Sequence, residues 1–408
     1  MTAGVYIHIP FCRSHCSYCD FATGMYEGNL AERYVQAVVK EIARWREVDH
    51  PDSVDTVYFG GGTPSLLTAR QIEVILDAVH QRFTVLPGAE ITMEMNPSSV
   101  QRPTSNVQRP AFQSPKFQVQ SSPAALLMTE SDPCLLREFR RLGVNRASFG
   151  AQTFDDEDLR HLGRTHSAAD IYATFQSLRN AGFENINFDL IAGLPGQTLK
   201  GWAHNLEKAL ALRPEHLSLY LLDVHEGTPL ADQIKRGVRP KPDDDLAADM
   251  YRLMIEKVCD AGYEHYEISN FCLPGRESRH NTKYWTGDPY YGFGCSAHSY
   301  DGARRRWSNE RDTARYVALI ESEQTPTVEH TDLSDAEARA ESVFLGLRLM
   351  RGIHLAEYRS RFGLELMAAY GSDLERLRSA GLIEINGELL RLTTRGVLLS
   401  NEVFATFV

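Results

Sequence analysis

The residues best equipped for chemistry are three cysteines in the run Cys12-Arg13-Ser14-His15-Cys16-Ser17-Tyr18-Cys19, directly after a short apolar stretch at 5–9. A Cys-x3-Cys-x2-Cys loop gathers three thiolates around one small volume, and soft thiolates select zinc, copper(I) or iron–sulfur centres. Structural zinc usually takes four protein ligands, often as two close pairs, and no fourth partner stands near this run. Three ligands on a four-iron cube leave one iron without a protein ligand, where a small molecule can bind. The spacing thus makes Cys12, Cys16 and Cys19 candidate ligands of an iron–sulfur centre, and the family resemblance given below implies that it is a 4Fe–4S cluster. Cys134 and Cys259 fall in helix-like stretches and read as small buried residues. Seven cysteines, an odd number, do not make a disulfide framework.

Six short segments rich in β-branched and aromatic residues, at 5–9, 56–59, 91–95, 146–149, 186–190 and 217–222, read as strands. Helical patterns lie between and after them, at 30–46, 68–82, 133–142, 167–181, 199–212 and 243–259. Thr68 is a candidate N-cap, and Gly143 and Gly182 are candidate helix stops. Strict alternation predicts an α/β fold with a parallel sheet and right-handed crossovers. An open doubly wound sheet and a partial barrel both satisfy that pattern.

Residues 98–130 interrupt the rhythm. Val100-Gln101-Arg102-Pro103 returns as Val107-Gln108-Arg109-Pro110, with no apolar period, so a disordered or extended surface insertion is expected. The chain divides into a core at 1–235 that includes this insertion, an extension at 236–330, and a C-terminal unit at 331–408. That last unit reads as helices at 334–349, 355–362 and 364–380, then strands at 382–385 and 389–392 joined at Asn386-Gly387. Helices followed by a hairpin predict a small winged-helix-like α+β domain. It lacks the basic surplus of a DNA reader, so packing or a lid is the expected role.

The second strand ends in Gly60-Gly61-Gly62-Thr63-Pro64, where the absence of Cβ atoms lets backbone approach a ligand. Other strand ends carry polar residues toward the same mouth: Glu94, Gln152, Asp189 and Asp223, with Arg164 in the connection after the fourth strand. Convergence of that kind marks the ligand-binding edge of parallel sheets and barrels.

A formal charge of −11 argues against nucleic acid as a partner. No run of about 18 apolar residues predicts stable membrane insertion, and no targeting segment is read before the first strand. Unpaired thiols and an oxygen-sensitive cluster suit a reducing compartment, so a cytoplasmic location is expected.

The cysteine loop, with the glycine run one βα unit later, resembles the radical S-adenosylmethionine (radical SAM) superfamily, which implies a partial (β/α)6 barrel and S-adenosylmethionine as a cofactor. Tyr6-Ile7-His8-Ile9-Pro10-Phe11-Cys12, Gly60-Gly61-Gly62-Thr63-Pro64 and the run from Phe188 to Gln197 resemble the oxygen-independent coproporphyrinogen III oxidase (dehydrogenase) family. By that resemblance Tyr6, Tyr18, Gly61, Gly62, Thr63, Glu94, Gln152, Arg164, Asp189 and Asp223 line the S-adenosylmethionine site. The dehydrogenases carry one more cysteine two places after the third ligand, where this chain has Phe21. Its His280-Asn281-Thr282-Lys283-Tyr284-Trp285 run is similar instead to the heme-chaperone group of the family, as are the stretches around Tyr266–Phe271, Gly294–Ser299 and Leu398–Phe404.

That resemblance implies heme as cargo, passed to a heme-accepting protein such as a respiratory enzyme, and no catalytic turnover. His280, Asn281, Tyr284, Trp285 and His298 are the heme-binding candidates, with an imidazole on the iron and flat apolar faces on the macrocycle; Cys272 and Cys295 are further ligand candidates. The bland reading of His280 is a core hydrogen-bond network. Coproporphyrinogen III dehydrogenation is the rival activity, and a radical SAM enzyme acting on RNA is disfavoured by the acidic balance.

Overall fold

The computed structural model describes residues 2–45, 53–97 and 133–407. Six parallel strands form the core: β1 (Ala3–Ile9), β2 (Ser53–Gly61), β3 (Thr84–Met95), β4 (Arg146–Gln152), β5 (Ile186–Ala192) and β6 (His216–Leu221). Each alternates apart from register shifts at Val54/Thr56 and Gly150/Gln152. On β1, Val5, Ile7 and Ile9 are buried toward the helices while Tyr6 and His8 take the other face; on β4, Ala147, Phe149 and Ala151 oppose Arg146, Ser148, Gly150 and Gln152. Parallel strands covered by apolar packing on both faces read as continuous hydrophobic runs. Here the inner face is mostly polar, with Ile191 an exception, so the sheet curls around something other than a greasy core.

The outer face packs on α1 (Gly28–Arg44), α2 (Ala69–Arg82), α3 (Pro133–Arg141), α4 (Ala168–Asn180), α5 (Leu199–Leu212) and α6 (Asp244–Asp260). Thr68 caps α2 in a reciprocal box with Gln71, and Ser167 does the same for α4 with Asp170. Gly143 and Gly182 hold the left-handed conformation just past α3 and α4.

Segments after residue 260 extend the sheet at both edges, giving twelve strands in one open order. Glu264–Glu267 and Asn270–Cys272 add antiparallel to β6. Tyr290–Phe293 adds parallel to β1 and carries His298–Tyr300, Arg305–Asn309 and Thr327–Asp332 beyond it. Among the described residues the edges do not bond to each other, which makes this a partial barrel. Near the C-terminus, helices Asp335–Gly346, Leu355–Phe362 and Leu366–Ser379 pack with a three-stranded sheet. Its hairpin pairs Asn386 with Leu389, so the two-residue loop is Gly387-Glu388, one place later than expected, with the positive φ at Gly387.

The reading of Cys134 and Cys259 as buried needs correction. Cys134 and Cys259 are exposed on the outer faces of their helices, because the apolar stripes of α3 and α6 are carried by other residues. The insertion at 98–130 lies outside the described residues.

Candidate functional site

The barrel encloses a cavity of about 510 Å³ that opens at the C-terminal ends of the strands, within the range of small-molecule sites. Its wall repeats the inward set of each strand: Tyr58, Glu94, Arg146, Ser148, Gln152, Asn187, Asp189, Ser218 and Tyr220. Cys12, Cys16 and Cys19 line the mouth together. Behind them runs a closed set of hydrogen bonds. Thr63 Oγ1 donates to Cys12 Sγ (3.7 Å) and accepts from Asn96 Nδ2 (2.7 Å). Arg164 Nη2 donates to Asn96 Oδ1 (2.6 Å), and its Nη1 reaches Cys16 Sγ at 3.2 Å. Two thiols are thus tied through three side chains from three different connections. Donors aimed at sulfur stabilise thiolates and tune any metal centre they hold.

The glycine run supplies room. A Cβ on Gly62 would lie 2.7 Å from Phe11 O and 2.9 Å from Ile9 O, so only glycine lets the second strand end against the cysteine loop. Gly61 has φ 106°, and a Cβ there would strike the His8 ring at 2.5 Å. Its N–H donates to Glu94 Oε2 (3.0 Å), while Tyr58 donates to Oε1 (2.7 Å). Burial raises the Glu94 carboxyl to about 7 and raises Asp189 as well. Gln152 holds φ 64° at a register shift of β4, a strained position for a non-glycine residue, and faces the cavity.

The wall therefore brings together Tyr18, Gly61, Gly62, Glu94, Gln152, Arg164, Asp189 and Asp223. Tyr6 and Thr63 stand behind it. Tyr6 bonds His8 Nδ1 at 3.1 Å, and His8 Nε2 lies 3.0 Å from Ala22 O, a strut under the cysteine loop. Arg146, Ser148, Asn187, Ser218 and Asn96 went unnoticed in the sequence because attention fell on strand ends. The period-two alternation along each whole strand would have found the first four.

Among the heme candidates only Asn281 lines the cavity. His280 is fully buried at the bottom of the barrel, bonded by Nδ1 to Thr56 (2.8 Å) and by Nε2 to Tyr284 (2.9 Å), and burial holds its pKa down at about 3. This corrects the picture of His280 as an available axial ligand: both nitrogens already have partners. Tyr284 packs edge-on against Tyr290, Trp285 lies under the Arg348 guanidinium at 4.2 Å, and His298 is exposed on a strand paired on both sides in the added part of the sheet. Cys272 and Cys295 are buried outside the cavity wall.

Among the described residues no three His, Cys, Asp or Glu side chains crowd around one ion-sized point. Residues 6–209 match the radical SAM superfamily, and residues 333–399 match the HemN C-terminal domain. The chain belongs to the radical SAM superfamily. The radical SAM chain is 34% identical to heme chaperone HemW of Bacillus subtilis over 403 residues, covering 99% of this chain and 98% of that one. It is 38% identical to heme chaperone HemW of Synechocystis sp., covering 88% and 80%. The solved structure of coproporphyrinogen III oxidase (HemN) from Escherichia coli superposes with a TM-score of 0.79 at 22% identity, covering 100% of this chain and 90% of that one. That likeness shows a shared fold, and the full-length identities place the chain in the HemW family. A radical SAM chain uses a 4Fe–4S cluster and S-adenosylmethionine, and the thiols, glycines and polar wall described above suit both. No helix among the described residues is long and apolar enough to cross a membrane.

Proposed function

We propose that this chain is a heme chaperone that binds heme beside a cluster and S-adenosylmethionine and hands it to an acceptor protein. The observation that carries the reading is the likeness, over nearly the whole length, to proteins named heme chaperones. Cys12, Cys16 and Cys19 hold the cluster in this reading, and Tyr18, Gly61, Gly62, Glu94, Gln152, Arg164, Asp189 and Asp223 surround the cofactor. When bound, the cluster supplies one iron open to an exchangeable ligand. The chain's own work is to shield the thiols, orient the cofactor and keep bulk water from the lower cavity.

Phe21 supports binding over turnover. It occupies the place where the dehydrogenases carry their additional cysteine, lines the mouth, and is 67% exposed beside Tyr220 and Leu221, each 40% exposed. Uncovered aromatic and aliphatic surface of this kind suits a flat apolar disc. The cytoplasmic location belongs to the same reading, supported by the thiol chemistry.

The test is oxygen-protected reconstitution followed by parallel heme titration and porphyrinogen conversion. The chaperone reading expects saturable heme uptake at fixed stoichiometry, transfer to an apo-acceptor and no vinyl-group formation. Vinyl products with reductant and S-adenosylmethionine would establish the dehydrogenase instead.

A further inference from the structure

Asp189 ends a chain of hydrogen bonds that begins at the bottom of the barrel. Ser278, the N-cap of the helix Arg279–Thr286, donates its backbone N–H to Tyr266 Oη (3.3 Å). Tyr266 Oη lies 2.8 Å from His216 Nε2, and His216 Nδ1 lies 2.6 Å from Asn187 Oδ1. Asn187 Nδ2 then donates to Asp189 Oδ1 (2.8 Å). Sheet register brings these groups together. Asn187 on β5 pairs with Ser148 on β4 and with His216 on β6, and Asp189, two places higher, pairs with Ser218.

The direction of each bond follows from what each atom can do. Asp189 Oδ1 accepts, so Asn187 turns its nitrogen toward it, and the second hydrogen of that nitrogen goes to Ser148 Oγ (2.8 Å). The amide oxygen is left facing His216 and Ser218 Oγ, which donates to it at 3.2 Å. His216 is fully buried, and burial holds its pKa well below 6.5, so the ring is neutral with a single N–H. That proton sits on Nδ1, and Nε2 accepts from the Tyr266 hydroxyl. Without the Nδ1 donor, the Asn187 amide could turn over and set its oxygen against Asp189.

Only the upper end of this chain meets the cavity. Asn187 and Asp189 line it, while His216 and Tyr266 lie behind the wall. Burial raises the Asp189 carboxyl against the pull of Asn187, Ser218, Arg146 and Arg164, so its charge and aim depend on the groups around it.

We propose that His216 is a positioning residue, which locks the Asn187 amide and through it aims the Asp189 carboxyl at S-adenosylmethionine in the cavity. Supporting partners of this kind fix the orientation of the groups that meet a ligand. The proposal rests on the reading that places Asp189 beside the cofactor, and it is independent of heme.

The test uses cluster-reconstituted protein kept from oxygen, with S-adenosylmethionine affinity measured by calorimetry. His216→Leu and His216→Asn are compared with wild type, and His216→Leu is repeated in an Asp189→Ala background. His216→Leu should weaken binding roughly three- to tenfold, the range of one hydrogen bond. His216→Asn, whose nitrogen can stand where Nδ1 stood, should recover most of that loss. With Asp189→Ala already present, His216→Leu should change affinity less than about twofold, because the two residues act as one unit. Equal losses in both backgrounds would assign His216 a general structural role and overturn the proposal. No loss from His216→Leu, or an Asn variant no better than the Leu one, would overturn it too. Should His216→Leu not accumulate, His216→Gln, which can meet Tyr266 but puts no donor at the Nδ1 position, carries the same comparison. If Asp189→Ala binds the cofactor as wild type does, the placement of Asp189 fails first and takes this proposal with it.

Discussion

His280 Nδ1 and Thr56 Oγ1 lie 2.8 Å apart beneath the barrel, a side-chain hydrogen bond between residues far apart in the chain. The same helix is pinned to β3, because Glu90 accepts from the backbone N–H groups of Arg279 and His280 at 3.1 Å each. Its motif closes the bottom of the barrel, with the imidazole stacked on Tyr58 at 5.1 Å.

His280→Ala should therefore cost about 2–4 kcal/mol of stability, from a cavity and two lost hydrogen bonds. Burial lowers the folded-state pKa to about 3, below the ordinary 6.5. A depressed pKa contributes stability above pH 6.5 that is lost as pH falls toward 3. Denaturant melts of wild type and variant across that window should show a shallower slope in the variant. An altered heme spectrum with unchanged stability would contradict the structural role.

Gly62→Ala forces a Cβ into the Ile9 and Phe11 backbone. The expected result is loss of bound iron and sulfide comparable to that of Cys16→Ala, with far-UV circular dichroism retained. Cys259→Ala, on the exposed face of α6, should keep the cluster. Full iron content in Gly62→Ala would show that the loop tolerates displacement.

Glu41 joins α1 to the added strands, accepting from Tyr316 (2.5 Å), Asn309 (2.7 Å) and Gly294 N–H (2.8 Å). Burial outweighs those donors and raises its carboxyl from 4.5 to about 7. A raised pKa gives stability that is complete below pH 4.5 and declines as pH rises through 7. Thermal midpoints at pH 5, 6.5 and 8 should fall more steeply in wild type than in Glu41→Gln. Parallel profiles would refute the assignment.

Arg348 lies 3.6 Å from the buried Glu267 and stacks on Trp285, joining the chain after the helix Asp335–Gly346 to the barrel extension. Removing one partner of a fully buried pair costs roughly 3–5 kcal/mol. The Arg348 side chain is 26% exposed, so Arg348→Ala should cost less, about 2–3 kcal/mol. Arg348→Ala and Glu267→Gln combined should cost less than the sum of the two, measured in a double-mutant cycle. Strict additivity would mean that the two residues do not interact.

The spacing of Cys12, Cys16 and Cys19, the Gly60–Gly62 run and the six β/α alternations were legible because each is local: short-range sterics and the two hydrophobic periods write them into consecutive residues. Thr68, Gly143 and Gly182 were legible for the same reason. The stretch from 264 to 332 was not, since its strands are short and its place at both sheet edges depends on partners far away in the chain.

Local chemistry in the sequence thus settled the thiol loop, the parallel core and the polar strand ends. Tertiary structure alone decided that His280 is saturated by Thr56 and Tyr284, that Asn96 closes the bonds linking Cys12 to Cys16, and that Arg146 is buried with Nε and Nη1 lacking a hydrogen-bond partner among the described residues. Each of these depends on which strands lie side by side, and register between distant segments is a property of the packed sheet that no window of sequence contains.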